Sequence, residues 1–321
     1  MRALCLEGST PTVRERAEPR ATAGRAILRM RLAGVCNTDL EIARGYMGFQ
    51  GVLGHEGVGE VIEGPAEWLG KRAASEINFG CGGCPSCEQG LERHCPQREV
   101  MGILDADGTF AEYVSVPITN LHAIPDSLDD ERATFVEPLA AAFEVIEQLG
   151  DVSGQTAAVL GDGKLGLLVA QVLDLCGARV LAVGRHRAHL EILSRRGIQT
   201  CEADAFRPAD SPGRDIVVEA TGSANALSGA IAATRPRGKL VLKTTVADPL
   251  TIDLAPIVVN EIQVVGSRCG PFAPAIEALA TDQIDVTSLI AGTFSLSTAT
   301  DALAQAARRG VGKVLIDCAS D

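Results

Sequence analysis

Residues 156–185, "TAAVLGDGKLGLLVAQVLDLCGARVLAVGR", contain the alternation that decides the fold. A short apolar run is followed by a glycine-rich turn, then by an apolar stretch with helical spacing, and then by a second short apolar run. Two buried strands joined by a helix predict a parallel pair with the helix packed on one face. The pattern continues through "DIVVEATG", "ALSGAIAATRPRG", "KLVLKT" and "IQVVGS". We therefore expect an α/β domain with a doubly wound parallel sheet over residues 143–270.

The glycine-rich turn has the spacing G-x-G-x-x-G between a predicted strand and a predicted helix. In a Rossmann fold the first glycine allows the tight turn, the second lets a pyrophosphate approach the backbone, and the third lets the helix pack on the strand. The alternative is a glycine-rich turn without a ligand. The predicted cofactor-binding residues of this turn are Gly161, Asp162, Gly163, Lys164, Leu165 and Gly166.

The next strand ends at "VGRHRAHL", where a site for NAD would place an acidic side chain to accept from the ribose 2′-hydroxyl. Gly184 and Arg185 stand there instead. A guanidinium cannot accept a hydrogen bond but can bind a phosphate, with His186 and Arg187 close enough in sequence to assist. The sequence therefore predicts NADP in preference to NAD.

The first 120 residues have a different texture. Short β-like runs such as "AILRMRLAGV", "GVGEVIEG" and "FAEYVSVP" alternate with Gly, Pro and charged turns, without a helical period of any length. We expect a mostly β domain over residues 1–142. Over residues 271–321, two amphipathic helical stretches precede "GKVLID", a closing strand predicted to rejoin the first domain. A Pro-rich segment at 207–215 is expected to be a surface loop.

Length and charge limit the functional classes. A chain of 321 residues fits two domains, and its net charge of −12 would repel the phosphates of nucleic acids and of anionic membranes. The N-terminal sequence reaches charged residues and a proline before any run of signal-peptide length. We therefore expect a cytoplasmic protein with no nucleic-acid or membrane partner.

Four of the ten cysteines lie within "GCGGCPSCEQGLERHC", residues 80–95, with the spacing C-x2-C-x2-C-x7-C. Four thiolates close a tetrahedral zinc shell and leave no position open for a substrate, so a structural zinc is predicted in a lobe at 80–96. An iron–sulfur cluster and a zinc ribbon that binds nucleic acid are the alternatives. The predicted ligands are Cys81, Cys84, Cys87 and Cys95.

Other metal-ligand residue types are scattered through "GVCNTDLE", "GHEGVGEV" and "FVEPLA". Taken singly, Cys36 is explained as a buried thiol, His55 as a satisfied core histidine, and Glu56 and Glu137 as solvated carboxylates. Beside a dinucleotide fold they form a candidate second metal site with too few ligands to be closed. Such a site keeps a position for substrate.

These motifs, in this order, resemble the zinc-dependent alcohol dehydrogenases of the medium-chain dehydrogenase/reductase superfamily along essentially the whole chain. The pattern is nearest to sorbitol and threonine dehydrogenases, in which a Glu follows the ligand His. The resemblance implies a GroES-like catalytic domain, two zinc ions per chain and a homodimer or homotetramer. It also implies that Thr38 relays the alcohol proton and that Asp39 orients His55. Many relatives have a histidine where this chain has Glu41.

The resemblance leaves the division of the two carboxylates open. Our hypothesis is that Cys36, His55 and Glu137 are stable zinc ligands and that Glu56 moves on and off the metal. Lys313 matches a C-terminal basic residue near the cofactor phosphates, with a solvated lysine as the alternative. Further candidates for cofactor or pocket contacts are Tyr46, Phe49, Thr221, Arg268 and Cys269.

The function implied is a zinc-dependent, NADP-linked oxidoreductase of small alcohols, polyols or aldehydes. Hydride would pass between the substrate carbon and the nicotinamide ring. A zinc-independent quinone or enoyl reductase on the same scaffold is one alternative, and a non-catalytic binding protein with this fold is another. Neither alternative needs the Cys36, His55 and Glu137 set.

Overall fold

The computed structural model describes residues 1–208, 213–223, 226–244 and 252–319. Part of the predicted surface loop, residues 209–212, lies outside the described residues. Within the described ranges, no helix has both the length and the apolar character needed to cross a membrane.

The chain divides into two compact units. The first comprises residues 1–137, 272–282 and 290–321, and the second comprises residues 138–271 and 283–289. The division at 137/138 falls at the start of a long helix, whereas the boundary expected at 142/143 falls inside that helix.

Most strands before residue 130 follow one another without an intervening α-helix. Their bounds are β1 Arg2–Glu7, β2 Thr10–Glu15, β3 Arg25–Gly34, β4 Gly51–Val52, β5 Glu56–Glu63, β6 Arg72–Ser75, β7 Asn78–Phe79, β8 Glu99–Met101, β9 Asp105–Ala106, β10 Tyr113–Pro117, β11 Leu121–Ala123, β12 Thr156–Leu160, β13 Arg179–Gly184, β14 Gln199–Glu202, β15 Arg214–Glu219, β16 Thr234–Leu242, β17 Gln263–Gly266, β18 Ile290–Ser295 and β19 Lys313–Asp317.

The two longest α-helices, α4 and α5, lie mostly or wholly in the second unit. Their bounds are α1 Asn37–Ala43, α2 Pro85–Glu88, α3 Asp130–Ala133, α4 Val136–Leu149, α5 Lys164–Leu175, α6 Arg187–Arg195, α7 Ala226–Ala233, α8 Ala255–Val259, α9 Phe272–Ala280 and α10 Ala299–Ala306.

The second unit is built on a six-stranded parallel sheet with the order β14-β13-β12-β15-β16-β17. Starting from its first strand, this is the 3-2-1-4-5-6 order of a Rossmann fold. Side chains of β12, β13, β15 and β16 form an apolar core with α7. The predicted doubly wound sheet is confirmed.

The first unit contains a seven-stranded sheet in which β11-β6-β5-β3-β19-β18 are neighbours and β10 pairs with β3. Two three-stranded sheets, β2-β1-β4 and β7-β8-β9, complete its β structure. The last strand, β19, pairs antiparallel with β3 although about 280 residues separate them. The end of the chain therefore completes the sheet that its beginning starts.

Several elements differ from the sequence-based expectation. The helix α1 interrupts a region that shows no helical period, because seven residues are too few to display one. The strand β18 pairs in parallel with β19 and was not anticipated. The stretch "ALSGAIAATRPRG" is helical only to Ala233, after which β16 begins.

The glycine-rich turn joins β12 to α5 at the carboxyl end of the central strand. Gly161 has a φ of +117°, and a Cβ there would meet the Ala220 carbonyl oxygen at 2.4 Å. A Cβ on Gly166 would lie 2.0 Å from the Gly161 carbonyl oxygen. A Cβ on Gly163 would have no heavy atom within 4 Å. The first and third glycines are thus required by packing, whereas the second faces open space.

We expect Gly166→Ala to destabilise the second unit because its methyl group would push the Gly161 carbonyl away. This overpacking should cost about 1 to 3 kcal/mol, more than the helix propensity of alanine returns. Each kcal/mol should lower Tm by roughly 2 to 4 °C in calorimetry. Gly163→Ala is the matched control and should lower Tm less, because its Cβ would meet no heavy atom within 4 Å and only the N-cap of α5 changes. An equal shift in both variants would contradict this packing argument.

Candidate functional site

The candidate metal centre lies at one edge of the seven-stranded sheet of the first unit, where β3 ends and its neighbours β5 and β19 begin. Glu56 is the first residue of β5 and pairs with Gly34, the last residue of β3. Cys36 follows two residues after that strand, and Lys313 is the first residue of β19. Residues that are far apart in sequence therefore meet because their strands are adjacent.

Cys36, His55 and Glu56 each offer a ligand atom within 4.8 Å of the other two. His55 and Glu56 are buried, with 3% and 1% of their surface exposed, and Cys36 is partly exposed. Sulfur, nitrogen and oxygen donors from three residues fit a zinc ion that keeps a fourth position open. The donor set therefore fits the group that the sequence predicts.

Asp39 lies behind His55 and is itself fully buried. Its Oδ1 is 3.1 Å from Nδ1 of His55, and its Oδ2 accepts from the Cys36 backbone N–H at 2.8 Å. A carboxylate only accepts, so Nδ1 of His55 carries the hydrogen and Nε2 is left as the ligand atom. Asp39 therefore fixes the tautomer of one donor residue and the backbone of another.

The loop before β5 positions His55. Gly54 has a φ of +96°, and a Cβ there would collide with the Phe110 ring at 2.5 Å. The Thr109 hydroxyl donates to the Glu56 carbonyl at 3.2 Å. A Cβ on Gly108 would lie 2.1 Å from the Gly54 carbonyl oxygen. The close packing of Gly54 against Phe110 and Gly108 thus restricts the position of the His55 imidazole.

Lys313, which the resemblance placed near the cofactor phosphates, is buried in the first unit, so the alternative of a solvated lysine is wrong. Its ammonium is 1% exposed and forms a salt bridge with Oε2 of Glu56. Burial disfavours its charge, but the negative charges of Glu56, Cys36 and Glu137 outweigh this and raise the pKa of Lys313. The lysine is therefore a buried cation that compensates the negative charge of the anionic donors. It forms its salt bridge with Glu56.

Glu137 is the second residue of α4, and its negative charge acts on Lys313. It does not belong to the group of ligand atoms within 4.8 Å that contains Cys36 and His55. Glu56 completes that group instead. In this structure, the carboxylate expected to be mobile is thus the one beside Cys36 and His55.

Burial opposes a positive charge on His55, but Asp39 and Cys36 outweigh it and raise its pKa well above the usual value. The same concentration of negative charge favours a bound cation. Thr38 lies beside this group, with its hydroxyl 3.7 Å from the Cys36 sulfur. Glu41 is on the outer face of α1, where it forms a salt bridge with Arg44.

The four cysteines of residues 80–95 are arranged as a compact set of possible metal ligands. One Sγ atom from each of its four cysteines lies within 4.8 Å of the others, and Cys84 lies 3.6 Å from Cys87 and 3.7 Å from Cys95. All ten cysteines of the chain have free thiols. The backbone N–H groups of Cys81 and Gln97 point at Cys95 and lower its pKa to about 7. Amide donors thus favour the thiolate that a metal requires.

The predicted cofactor residues of the second unit lie at the carboxyl ends of its strands. His186 and His189 lie beside Asp162, and these three residues also offer ligand atoms within 4.8 Å of one another. Arg185 and Arg187 are exposed. The amide and hydroxyl of Thr221 both donate to Oε1 of Glu219, at 2.8 and 2.6 Å.

Of the pocket candidates in the first unit, Phe49 is buried in its core and Tyr46 is exposed. In the second unit, Arg268 is exposed and Cys269 is partly buried. The Arg268 carbonyl accepts from Lys243 Nζ at 3.0 Å. Sequence reasoning missed Lys313 as a partner of Glu56, because no pattern within either segment signals the pairing of their strands.

A dinucleotide-type sheet together with a cluster of thiol, imidazole and carboxylate donors defines a metal- and dinucleotide-dependent oxidoreductase. Comparison with known proteins supports this class. Residues 22–126 match the alcohol dehydrogenase GroES-like domain, and residues 165–284 match the zinc-binding dehydrogenase family. Together these matches cover more than half of the chain. It belongs to the zinc-dependent alcohol dehydrogenase family of the medium-chain dehydrogenase/reductase superfamily.

Characterised relatives and solved structures resemble the chain along most of its length. Sorbitol dehydrogenase of Halalkalibacterium halodurans is 29% identical, with 89% of each chain covered. A zinc-binding dehydrogenase of Sinorhizobium meliloti bound to NADP has a TM-score of 0.90 at 28% identity, with 98% of each chain covered. A short chain alcohol dehydrogenase of Escherichia coli in complex with NADH has a TM-score of 0.91 at 27% identity, with 99% of each chain covered.

We expect Cys84→Ser and Cys36→Ser to have opposite effects. Cys84→Ser opens a closed shell in a segment with little apolar burial of its own, so Tm and metal content should fall. A structural zinc is worth about 10 to 16 kcal/mol in small peptide systems. Cys36→Ser should keep Tm within a few degrees but abolish NAD(P)-linked alcohol oxidation, measured spectrophotometrically.

Cys201→Ser is the control for replacing a thiol, because this sulfur lies against the Glu202 carbonyl and belongs to neither metal group. It should leave activity and metal content unchanged and lower Tm only slightly, because the partly buried sulfur packs at the edge of the apolar core of the second unit. A Cys84→Ser variant with full stability and full metal content would contradict the structural role of the four-cysteine group.

Proposed function

We propose that the chain is a zinc-dependent, NADP-linked dehydrogenase of small alcohols or polyols, acting through a catalytic zinc site at Cys36, His55 and Glu56. The observation that carries the proposal is the convergence of these three donors within 4.8 Å, next to a buried lysine. Zn²⁺ held there would supply Lewis-acid polarisation of the substrate oxygen. The reaction moves a hydride between a CH–OH carbon and nicotinamide.

Three residues of the chain would have separate roles around the substrate oxygen. Asp39 holds the His55 ring in the orientation that presents Nε2. Lys313 offsets the charge of Glu56, which would otherwise add to that of the Cys36 thiolate. The Thr38 hydroxyl lies beside Cys36, where it can take the proton of an alcohol and pass it on.

The proposed division of labour follows the two units. The first unit, residues 1–137, 272–282 and 290–321, would bind substrate and both zinc ions. The second unit, residues 138–271 and 283–289, would bind the dinucleotide at its glycine-rich turn. We further propose a homodimer or homotetramer. A cytoplasmic location would suit the free thiols that both metal groups require.

The preference for NADP rests on the end of β13. Gly184 has no side chain to accept from a ribose hydroxyl, and the exposed Arg185 and Arg187 follow it. Of the relatives with solved structures, one is bound to NADP and another to NADH. The choice between the two cofactors is therefore a property of this chain's own residues.

A panel of alcohols, polyols and aldehydes, assayed with each cofactor, tests the proposed activity. We expect turnover of at least one secondary alcohol or polyol with a higher kcat/KM for NADP, together with two zinc ions per chain by metal analysis. A chain with one zinc that reduces quinones or enones would support the zinc-independent class. Two bound zinc ions without turnover on any substrate would favour a binding protein.

The roles of the two carboxylates can be separated by metal content. Glu56→Ala should lose the catalytic zinc, because it removes a donor of the cluster. Glu137→Ala should keep more of it, because this carboxylate acts on Lys313 rather than among the three donors. Zinc per chain after gel filtration is the measurement, with the four-cysteine zinc as internal reference. Equal zinc loss in both variants would reject the distinction.

A further inference from the structure

An acidic side chain is present at the end of β13, although position 184 in that strand is glycine. The side chain of Asp162, from the glycine-rich turn, occupies the space. A Cβ added to Gly184 would lie 2.3 Å from the Asp162 Cβ and 2.6 Å from its Oδ2. Asp162 is 7% exposed. Only glycine at 184 leaves room for this carboxylate, so the position of the Asp162 side chain depends on the glycine.

The Asp162 carboxylate is directed at His186. Its Oδ2 accepts from the backbone N–H of His186. Its two oxygens also lie 3.1 and 3.2 Å from Nδ1 of the same residue. Because a carboxylate only accepts, Nδ1 must carry the hydrogen. Both oxygens of the acid are thus engaged within the protein.

The backbone of Asp162 holds a second imidazole. Nδ1 of His189 lies 2.7 Å from the Asp162 carbonyl oxygen, to which it donates. The ring centroids of His186 and His189 are 5.1 Å apart with an interplanar angle of 47°. These hydrogen bonds account for the clustering of the three residues without a metal ion. One aspartate therefore orients two imidazoles through their Nδ1 atoms.

This arrangement decides between two roles for Asp162. An acceptor for a ribose 2′-hydroxyl should present a carboxylate oxygen to solvent, but this carboxylate is buried and turned toward His186. The opposite edge of the His186 ring, at Nε2, has no hydrogen-bond partner in the described part of the chain. The exposed guanidinium groups of Arg185 and Arg187 flank it in sequence. With its Nδ1 hydrogen held by Asp162, the His186 ring donates to a phosphate oxygen from Nε2 only as the imidazolium, a form that the Asp162 carboxylate and a bound phosphate both favour.

We propose that Asp162 is a positioning residue for the 2′-phosphate of an adenosine cofactor, acting by orienting His186 and His189. The proposal rests on the proposed dinucleotide function and names the group in this chain that discriminates between phosphorylated and unphosphorylated ribose. The Asp162 carboxylate supports His186 and the Asp162 backbone carbonyl supports His189, and the ligand meets the imidazoles and guanidiniums.

Binding of two fragments tests this without turnover. 2′,5′-ADP and 5′-AMP differ only in the 2′-phosphate, and isothermal titration calorimetry gives Kd for each with the zinc-loaded protein. The wild type should bind 2′,5′-ADP more tightly. Asp162→Ala should weaken 2′,5′-ADP by about tenfold and 5′-AMP by less than about threefold. Asp301→Ala, on an exposed face of α10, is the control for loss of an aspartate and should change neither.

A double-mutant cycle separates positioning from a general structural effect. If Asp162 acts through His186, Asp162→Ala should have little further effect on 2′,5′-ADP in a His186→Ala background. Asp162→Asn, which keeps an acceptor for the His186 backbone N–H, should restore part of the affinity. Additive losses in the cycle would overturn the proposal. So would an Asp162→Ala variant that loses 5′-AMP and keeps 2′,5′-ADP, because the carboxylate would then be the ribose acceptor.

The outcome is distinguishable from that of the proposed function. A chain that shows this binding pattern but oxidises no alcohol would retain the phosphate subsite and lose the dehydrogenase assignment. A chain that oxidises alcohols but binds both fragments equally would lose only the subsite.

Discussion

The buried ion pair between Lys313 and Glu56 is the interaction on which the candidate metal centre depends. Both side chains are 1% exposed, so neither charge is solvated by bulk water. Removing one partner of a buried pair typically costs about 3 to 5 kcal/mol, because the other charge is left uncompensated. Here the lysine also faces Cys36 and Glu137. The lysine therefore lowers the cost of burying several negatively charged groups close together.

That pair also connects the two ends of the chain. Glu56 begins β5 and Lys313 begins β19, and the strand between them, β3, ends at Gly34. A Cβ on Gly34 would approach Oε2 of Glu56 to 2.7 Å and the Lys313 side chain to 3.3 Å. The pair is thus packed over a residue without a side chain, and Lys313 reaches Glu56 because β19 pairs with β3.

The two groups of metal-type ligands differ in the number of donors and in what surrounds them. One group consists of four thiols within a lobe that has few buried apolar residues. The other group has three different donors, a partly exposed cysteine, and support from Asp39 and Lys313. Coordination that is complete can only hold a loop together, whereas coordination that is incomplete can take part in a reaction.

The sequence by itself determined the features encoded by local spacing. These include the β-α alternation of the second unit, the glycine-rich turn, the four-cysteine group and the family. Each depends on residues within about one or two elements, where periodicity and spacing are informative. Only the tertiary structure decided the partner of Lys313, the position of Glu56 beside Cys36 and His55, and the direction of Asp162 toward His186. Those outcomes depend on which strands become neighbours and on the space a glycine leaves for another residue's side chain, and neither is visible in the local sequence.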